Sequence, residues 1–419
     1  SAIAVTLTNN KDSIFMPYQT KRYSSGRSGP KFSKSNRTRY NGAKNNNRRG
    51  PKKDYIDPSR FIKAARPKEE DSFVAQNSFN DFEVVDIIKQ NLQNKGYIKP
   101  SPIQDKTIPH ALNGRDIIGI ANTGTGKTAA FSIPLINAAL TTNSHALVVA
   151  PTRELAQQIN VEIHSIAKDS NLKTAVLIGG TGMGLQLRDL KHRPQIVVGT
   201  PGRIKDHIER NSLKLNFFNL VVLDEVDRML DMGFVNDMKA ILSQLNYDRQ
   251  SLFFSATLDS RVNSLIETFS KDPITISIKT SDTSENVHQD VVYVNRDSEK
   301  IDKLHDLLIS NEIKKAIIFD ETQRSVEKLS LELIDRGFRA NAIHGGKTQG
   351  QRQRSLSRFK QNEVDVLVAT DVAARGIDVI DISHVINYTT PNSYSDYIHR
   401  IGRAGRAGNT GYALTFVTR

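Results

Sequence analysis

The sequence predicts an α/β protein with two tandem domains, each a mostly parallel sheet flanked by helices, behind a disordered basic N-terminal tail. Short apolar, β-rich runs alternate with helical stretches in two successive series, which is typical of βαβ units. A polar stretch rich in Ser and Thr separates the two series, and a length of 419 residues suits two or three domains. These observations predict a tail over 1–70, a first domain over 71–275, a linker over 276–287 and a second domain over 288–419.

The predicted tail carries the positive charge of the chain. Residues 1–68 contain 17 Lys and Arg and three acidic residues, a net charge of +14, whereas the whole chain has +13. Gly, Ser, Asn and Pro fill the rest of this segment without apolar periodicity, so we expect it to be disordered. Aromatic residues between the basic ones favour additional contacts with nucleic acid, through pairing with phosphates and stacking on bases. A solubilising leader and an organelle transit peptide remain alternatives.

Composition excludes several classes of protein. The chain has no cysteine, which rules out disulfides, thiolate zinc sites and a cysteine nucleophile, and which fits a reducing compartment such as the cytoplasm. No apolar run approaches the roughly 18–20 residues of a membrane-spanning helix. We therefore expect a cytoplasmic protein without membrane contacts, with an organelle as the alternative if the tail is a transit peptide.

The ordered part is predicted to begin with an amphipathic helix, because Phe82, Val85, Ile88 and Leu92 recur at helical spacing before Gly96. The apolar runs that follow predict first-domain strands at 116–121, 146–150, 195–199, 220–224 and 251–255. Second-domain strands are predicted at 291–294, 316–320, 340–344, 364–370, 384–388 and 411–417.

A phosphate-binding loop follows the first predicted strand. Residues 121–128 read Ala-Asn-Thr-Gly-Thr-Gly-Lys-Thr, which is the P-loop pattern except that Ala121 replaces its first glycine. Backbone N–H groups of such a loop surround phosphate oxygens, Lys127 supplies charge to the β- and γ-phosphates, and Thr128 ligates Mg²⁺. The residues expected to bind ATP here are Asn122, Thr123, Gly124, Thr125, Gly126, Lys127 and Thr128.

Two adjacent carboxylates follow another apolar run. Asp224 ends the strand predicted at 220–224, and open α/β sheets place ligands at the carboxyl ends of their strands. We expect Asp224 to hold Mg²⁺ and Glu225 to orient or deprotonate the attacking water. Lys127, Asp224 and Glu225 are therefore candidate catalytic residues.

Motif order resembles that of the DEAD-box RNA helicases of superfamily 2. The resemblance rests on the segment Asp224-Glu225-Val226-Asp227, which follows the P-loop and precedes Ser255-Ala256-Thr257. The resemblance extends from about Phe79 to Arg419. It implies two RecA-like domains and an RNA-stimulated, Mg²⁺-dependent ATPase. Val226 departs from the family, which has Ala at that position.

The resemblance also assigns the remaining nucleotide contacts. Gln104, in a stretch similar to the Q motif, would pair with adenine N6 and N7, and Phe79 would stack on the base. In the segment His399-Arg400-Ile401-Gly402-Arg403-Ala404-Gly405-Arg406, Arg403 and Arg406 would act as arginine fingers on the γ-phosphate. Asp378 would bind the ribose.

The same resemblance assigns the residues that bind RNA and the residues that couple the two domains. The residues expected to hold the RNA backbone without reading bases are Pro151, Thr152, Arg153, Gly179, Gly180, Thr200, Pro201, Gly202, Arg203, Gln349, Arg352 and Thr370. Those expected to couple the domains are Asp227, Ser255, Thr257 and His399. Two positions of the second domain, Gly346 and Asp320, depart from the family pattern.

The sequence therefore predicts a monomeric ATP-dependent RNA helicase that binds single-stranded RNA across both domains and locally unwinds duplexes. Two alternatives stay open at this point. One is a DNA helicase of the same superfamily, which the Gln104 motif argues against. The other is an RNA clamp or assembly platform with little unwinding activity.

Overall fold

The structure is a computed structural model. It describes residues 56–65, 73–122, 124–278, 286–309, 313–374, 379, 381–405 and 409–419. The predicted tail outside 56–65, including residues 66–70, and the central linker residues 279–285 lie outside this described part, so the predictions made for them are not addressed by it.

The first domain contains a seven-stranded parallel sheet with the order β3-β4-β2-β5-β6-β1-β7. Its strands are β1 Ile117–Ile120, β2 His145–Val149, β3 Thr174–Leu177, β4 Ile196–Gly199, β5 Phe218–Leu223, β6 Gln250–Ser255 and β7 Ile274–Ser277. Its helices are α1 Asp86–Asn94, α2 Pro102–Leu112, α3 Lys127–Thr141, α4 Arg153–Ile166, α5 Met183–Lys191, α6 Pro201–Glu209, α7 Val226–Asp231, α8 Val235–Leu242 and α9 Ser260–Phe269, with a 3-10 turn at Leu215–Phe217.

The second domain contains a six-stranded parallel sheet with the order β10-β11-β9-β12-β13-β8. Its strands are β8 Val287–Val294, β9 Ala316–Phe319, β10 Ala340–Ile343, β11 Val366–Ala369, β12 His384–Asn387 and β13 Gly411–Thr418. Its helices are α10 Lys300–Leu308, α11 Gln323–Asp335, α12 Gln349–Lys360, α13 Asp371–Ala374 and α14 Tyr394–Ile401, with a 3-10 turn at Asp297–Glu299. The predicted fold class is confirmed.

Each sheet has apolar side chains on both faces, because helices cover both faces of a doubly wound sheet. Along β5, Leu220 and Val222 belong to one apolar cluster, whereas Val221 and Leu223 belong to the cluster on the opposite face. This alternation explains why the strands read as continuous apolar runs. It leaves the loops after the strands as the places where polar side chains gather.

Two observed strands were not among those predicted. β3 pairs with β4, and its short run Thr174–Leu177 alternates buried and partly exposed residues instead of forming a continuous apolar run. β7 pairs with β1 and extends to Ser277, so residues 276–277 belong to the first sheet and not to the linker. Val287, also assigned to the linker, begins β8.

The predicted disordered tail is corrected over residues 56–65. Pro58–Phe61 form a 3-10 turn, Ile56 and Phe61 are buried, and Lys63 forms an antiparallel bridge with Gln289 of β8. The prediction was based on charge and composition over the whole tail. Ile56 and Phe61 are too few to give a periodic apolar pattern, so the sequence did not indicate their burial. They become buried only because a distant part of the chain supplies a surface for them.

No helix within the described residues is both long and apolar enough to cross a membrane.

Candidate nucleotide and RNA sites

The loop between β1 and α3 has the backbone geometry of a phosphate cradle. Gly124 and Gly126 have φ values of +83° and +94°, in the left-handed region that glycine adopts at little cost. A Cβ atom on Gly126 would lie 2.5 Å from Nε2 of Gln104, so a larger residue there would displace the Gln104 side chain. The loop leads directly into the N-terminal turn of α3, whose free N–H groups favour an anion.

Polar side chains close this loop on itself. The Lys127 ammonium is buried and donates to the carbonyl oxygen of Ala121 at 2.8 Å. The Thr125 hydroxyl donates to the carbonyl oxygen of Asn122 at 2.8 Å. Thr128 lies half-buried in the first turn of α3. The loop thus carries hydroxyl groups beside the Lys127 ammonium, which is held where phosphate oxygens can reach it.

Gln104 connects α2 to the phosphate loop. Its side-chain Oε1 accepts from the N–H of Ser101 at 2.9 Å, and its Nε2 donates to the carbonyl oxygen of Gly126 at 3.2 Å. The hydroxyl of Ser101 also donates to the carbonyl oxygen of Thr125 at 2.7 Å. Phe79 lies near this region, but its ring is buried edge-on against Phe82 and Tyr97.

The paired carboxylates lie at the carboxyl end of β5, one strand away from β1 across β6. Asp224 is buried, and its Oδ1 accepts from the N–H of Glu225 at 3.0 Å. Burial raises the pKa of Asp224 to about 6, an effect that Lys127 opposes and Glu225 reinforces. The backbone of Glu225 is left-handed, with φ +53°, and this turns the chain directly from β5 into α7.

Glu225 has an ion-pair partner on its own helix. Nη1 of Arg228 lies 2.5 Å from Oε2 of Glu225, and both side chains are less than a tenth exposed. Burial alone would disfavour the charge of Glu225, but Arg228 and then Lys127 outweigh it and lower the pKa of this carboxyl. The guanidinium of Arg403, which comes from the second domain, acts in the same direction. Positive groups from both domains therefore act on one carboxylate.

Asp227 binds the loop after β6. Its Oδ2 accepts from the N–H of Ala256 at 3.1 Å and from both the N–H and the hydroxyl of Thr257 at 3.0 Å. Its own N–H donates to Oγ of Ser255 at 3.3 Å. The structure thus brings together three of the four residues predicted to couple the domains.

The second domain supplies its polar residues from α14 and the turn that follows it. Arg228, Phe319, Asp371, Ala374, Asp396, His399, Arg400 and Arg403 line one narrow cleft. Within it, Nε and Nη2 of Arg400 form a bidentate pair with Asp371 at 2.5 and 2.6 Å. Arg400 also donates to Oδ1 of Asn387 at 3.1 Å, so this arginine ties α14 to the ends of β11 and β12. Arg403 follows three residues later and lines the same cleft, and its charge acts on Glu225 of the first domain.

The donor set near the phosphate loop fits Mg²⁺. Thr128 offers a hydroxyl and Asp224 a carboxylate, and Mg²⁺ in nucleotide sites takes few protein oxygens together with phosphates and water. Among the described residues there is no group of three or more acidic or histidine side chains that could hold a metal by themselves.

The residues predicted to contact RNA in the first domain follow β2, β3 and β4. The guanidinium of Arg153 lies over Gly179 and Gly180, where a Cβ on Gly179 would approach its Nη2 to 2.9 Å. Burial lowers the pKa of Arg153, and two other guanidinium groups, from Arg352 and Arg203, add to the effect. Pro151 precedes Thr152, the N-cap residue of α4, and Thr200 is the N-cap residue of α6, whose first two residues are Pro201 and Gly202.

The second domain meets these loops through α12. Nη2 of Arg352 lies 2.8 Å from Oε2 of Glu154, and Nε2 of Gln349 donates to Oε1 of Glu154 at 3.3 Å. Nε of Arg352 and Nε of Arg203 are buried without a hydrogen-bond acceptor among the described residues. Thr370 is half-buried at the end of β11. Two arginines that each have an Nε outside any hydrogen bond in the described part of the chain, together with the Arg153 guanidinium on which both act, form a site suited to phosphate groups.

Sequence reasoning missed three polar residues that organise these sites: Glu154, Arg228 and Arg400. Arg400 lies within the segment 399–406, and Glu154 and Arg228 directly follow Arg153 and Asp227, but only Arg228 has a partner that sequence spacing indicates. Arg228 follows Glu225 by three residues, which places the two side chains on one face of α7. The partners of Glu154 and Arg400 lie 198 and 29 residues away.

The departures from the family pattern have local explanations. Val226 is fully buried in the apolar cluster beneath α7, which accommodates its two extra methyl groups. At Gly346, a Cβ would lie 2.7 Å from Oε1 of Gln323, so this position accepts no larger residue without displacing Gln323. Asp320 is buried, and its Oδ1 accepts a hydrogen bond from the N–H of Glu321 at 2.8 Å.

Thr123, Asp378 and Arg406 lie outside the described residues. Their predicted roles in binding the nucleotide and the γ-phosphate stay predictions.

Two family models match the chain. A DEAD/DEAH box helicase model matches residues 101–265, and a helicase conserved C-terminal domain model matches residues 299–408. The first match contains β1 to β6 and ends in α9, and the second contains β9 to β12 and ends after Arg403.

Curated relatives and solved structures agree with these matches. The ATP-dependent RNA helicase CshA of Limosilactobacillus reuteri is 43% identical over 81% of this chain and 69% of its own length. The DEAD-box ATP-dependent RNA helicase CshA of Bacillus subtilis gives the same three values. The chain therefore spans about two thirds of the length of these relatives.

Among solved structures, Dbp5 of S. cerevisiae bound to RNA and ADP BeF3 matches with a TM-score of 0.73 and 29% identity, over 82% of this chain and 90% of that one. Mss116p bound to ssRNA and AMP-PNP matches with a TM-score of 0.74 and 29% identity, over 84% and 77%. With its two parallel sheets, its phosphate loop and its DEVD segment, this chain belongs to the DEAD-box RNA helicase family.

Proposed function

We propose that this chain is an ATP-dependent RNA helicase that binds single-stranded RNA across both domains and couples Mg-ATP hydrolysis to local duplex separation. The observation that carries this proposal is the division of one site between two domains. Lys127, Asp224 and Glu225 lie on the first, whereas Arg403 acts on Glu225 from the second. A site divided in this way is complete only when the two domains are together.

The P-loop residues would hold the triphosphate. The buried ammonium of Lys127 would exchange the Ala121 carbonyl oxygen for phosphate oxygens, which carry full charge and bind more strongly. Thr128 and Asp224 would hold Mg²⁺, which neutralises phosphate charge. Gln104 would pair with adenine while its contacts to Gly126 and Ser101 keep the loop aligned with the base.

Hydrolysis requires water to attack the γ-phosphorus while the bond to the bridging oxygen breaks. Glu225 would orient this water, and its proton would leave through the carboxylate or the released phosphate. Arg403, with Arg406, would stabilise the charge that develops on the transferring phosphoryl group. None of these groups needs to make a covalent bond, so positioning supplies most of the rate.

RNA binding would use the other part of the contact between the domains. Arg153, Arg203 and Arg352 gather there, Arg203 and Arg352 each with an Nε outside any hydrogen bond among the described residues, and the glycines at 179–180 let a backbone approach closely. Since ATP and RNA would both favour the joined domains, each should strengthen the binding of the other. Asp227, Ser255, Thr257 and His399 would transmit closure between the sites.

The proposal also covers properties outside the core. The basic tail would add non-specific RNA contacts, the chain would act as a monomer, and its location would be cytoplasmic, which the bacterial relatives support. Deleting residues 1–55, and not 1–68, tests the tail without removing the segment that packs on the second sheet. A flatter dependence of log Kd for RNA on log salt is expected in the truncated protein.

The test of the proposed function combines two substrates with one variant. The wild type should hydrolyse ATP faster with RNA and separate a short RNA duplex but not a DNA duplex. Glu225→Gln should retain ATP and RNA binding yet hydrolyse ATP slowly, because the amide keeps the size of the carboxylate without its charge. RNA-stimulated ATPase without strand separation would favour the clamp alternative, and unwinding of DNA would favour the DNA helicase.

A further inference from the structure

The segment Ile56–Ala65, which precedes the first domain in the chain, packs on the second domain. The Asp57 side chain caps its 3-10 turn by accepting from the N–H of Ser59 at 2.9 Å. Ile56 is 7% exposed and Phe61 is fully buried, and both belong to an apolar cluster of the second domain. A solvated tail without a fixed position would not bury Ile56 and Phe61.

This segment covers the open edge of the second sheet. The N–H of Lys63 donates to the carbonyl oxygen of Gln289 at 3.0 Å, and the N–H of Gln289 donates back at 2.8 Å. The N–H of Ala65 donates to Nδ1 of His288 at 3.3 Å. In the first sheet, the equivalent edge beside β1 is covered by β7. The second sheet has no such strand among its described residues, and Ile56–Ala65 takes its place.

The same segment contacts α14, the helix that leads to Arg403. The Phe61 ring lies 4.7 Å from the Tyr397 ring, centroid to centroid, and the Arg60 guanidinium lies 3.8 Å from the centre of the Tyr394 ring. The Tyr397 hydroxyl donates to Oε1 of Gln289 at 3.0 Å, so β8 and α14 are joined beneath the segment.

The contacts continue from α14 into the turn that carries the arginine finger. Ile401 and Ala404 are fully buried in the same apolar cluster as Phe61. Arg403 lies between them in sequence and faces the opposite side, towards the cleft that contains Arg228. A shift of α14 on its apolar side therefore displaces Arg403 on its polar side.

We propose that Ile56–Ala65 forms a brace that positions Arg403 for ATP hydrolysis by fixing α14 against β8. Phe61 and Arg60 are the positioning residues of this brace. This role rests on the proposed ATPase function, and it makes residues 56–65 a determinant of the rate of that reaction. It differs from the RNA contacts proposed for the tail, because it does not depend on salt or on RNA affinity.

The test uses single substitutions in the full chain, at temperatures well below each variant's melting point. Phe61→Ala and Arg60→Gln should lower the RNA-saturated kcat for ATP about tenfold, because a misplacement of about 1 Å can cost about 100-fold in rate. The KM for ATP and the Kd for RNA should change little, since the binding residues of the first domain are untouched. Arg60→Lys should recover most of the rate by keeping a cation over Tyr394. Ile62→Ala is the matched control, because that neighbouring side chain is 54% exposed.

A merely structural role is distinguished by combining the variants with Arg403→Ala. If the brace acts through Arg403, Phe61→Ala should lower kcat no further in the Arg403→Ala background. Additive losses, or a wild-type kcat in both Phe61→Ala and Arg60→Gln, would overturn the proposal. If Phe61→Ala does not fold, Arg60→Gln decides alone, since its side chain lies at the surface.

A second readout does not depend on catalysis. Hydrogen exchange of the α14 amides should be faster in Phe61→Ala and Arg60→Gln than in Ile62→Ala and the wild type, even if the protein shows no RNA-stimulated ATPase. Absence of ATPase in the wild type would contradict the proposed function alone, whereas unchanged exchange in α14 would contradict the brace.

Discussion

The two sheets have the same topology but carry different chemistry. Counted from the first strand of each domain, both have the strand order 3-4-2-5-6-1. After the first strand, the first domain has the glycine loop that ends at Lys127, whereas the second has a short 3-10 turn at Asp297–Glu299. After the fifth strand, the first domain has Asp224 and Glu225, and the second has Tyr388 and Thr389. The same scaffold therefore provides a nucleotide site in one copy and a partner surface in the other.

The difference also extends to how each domain presents its charge. The first domain places its reactive groups on loops directly after strands, where the backbone fixes them. The second places Arg403 after a helix that is held by Arg400 on one side and by the brace on the other. Binding groups and rate-determining groups should thus be separable by substitution, one domain at a time.

The largest expected effect separates these two roles. Arg403→Ala should lower the RNA-stimulated kcat by about 10³-fold with little change in ATP affinity, because the arginine acts on charge that develops during the reaction. Lys127→Ala in the first domain should mainly weaken ATP binding. Steady-state ATPase assays and titration with a fluorescent ATP analogue measure the two effects. A large loss of ATP affinity in Arg403→Ala would show that binding and rate acceleration are not divided between the two domains.

A second substitution should destabilise only the second domain. Arg400→Met leaves the partly buried Asp371 carboxylate without its partner, which should lower the free energy of unfolding of this domain by about 3 kcal/mol. Urea unfolding followed by hydrogen exchange in each sheet distinguishes the domains. Arg354→Met, at an exposed arginine on α12, is the control and should change little. Equal destabilisation of both sheets would mean that the domains unfold as one unit.

The second sheet should also weaken in mild acid through His384. Burial lowers the pKa of His384 to about 4, and its ring stacks on Tyr412 at 4.8 Å. Between about pH 6.5 and pH 4 the unfolded chain binds a proton that the folded chain does not, so stability falls as pH falls, by about 3 kcal/mol in total. His384→Phe should keep the stacking and flatten this dependence. Melting curves of both proteins between pH 4 and pH 7.5 measure it, and an unchanged slope would exclude His384 as its source.

The smallest effect concerns nucleotide choice in the first domain. Gln104→Ala should reduce the preference for ATP over GTP by about 1–2 kcal/mol if its amide reads adenine. The ratio of kcat/KM for the two nucleotides measures it. Because Gln104 also donates to Gly126, affinity for both nucleotides should fall slightly as well. A fall for both without a change in their ratio would leave Gln104 as a support for the loop and not as a reader of the base.

The sequence alone determined most of the first domain's site. The glycines, Lys127 and Thr128 are contiguous, and Asp224 and Glu225 end one apolar strand, so local patterns suffice to identify them. It also determined the doubly wound fold, since buried parallel strands read as uninterrupted apolar runs. The two edge strands of the first sheet, β3 and β7, were less visible, because their short runs contain Thr or Ser and alternate in burial.

The tertiary structure decided which residues that are distant in sequence contact each other. The pairing of Glu154 with Arg352, of Arg400 with Asp371 and of Phe61 with Tyr397 joins residues that no local period relates. Such contacts depend on which surfaces the folded domains bring together, and burial of a side chain depends on the apolar surface opposite it. For this reason the segment 56–65 reads as part of a polar tail in the sequence but forms an ordered edge of the second sheet in the fold.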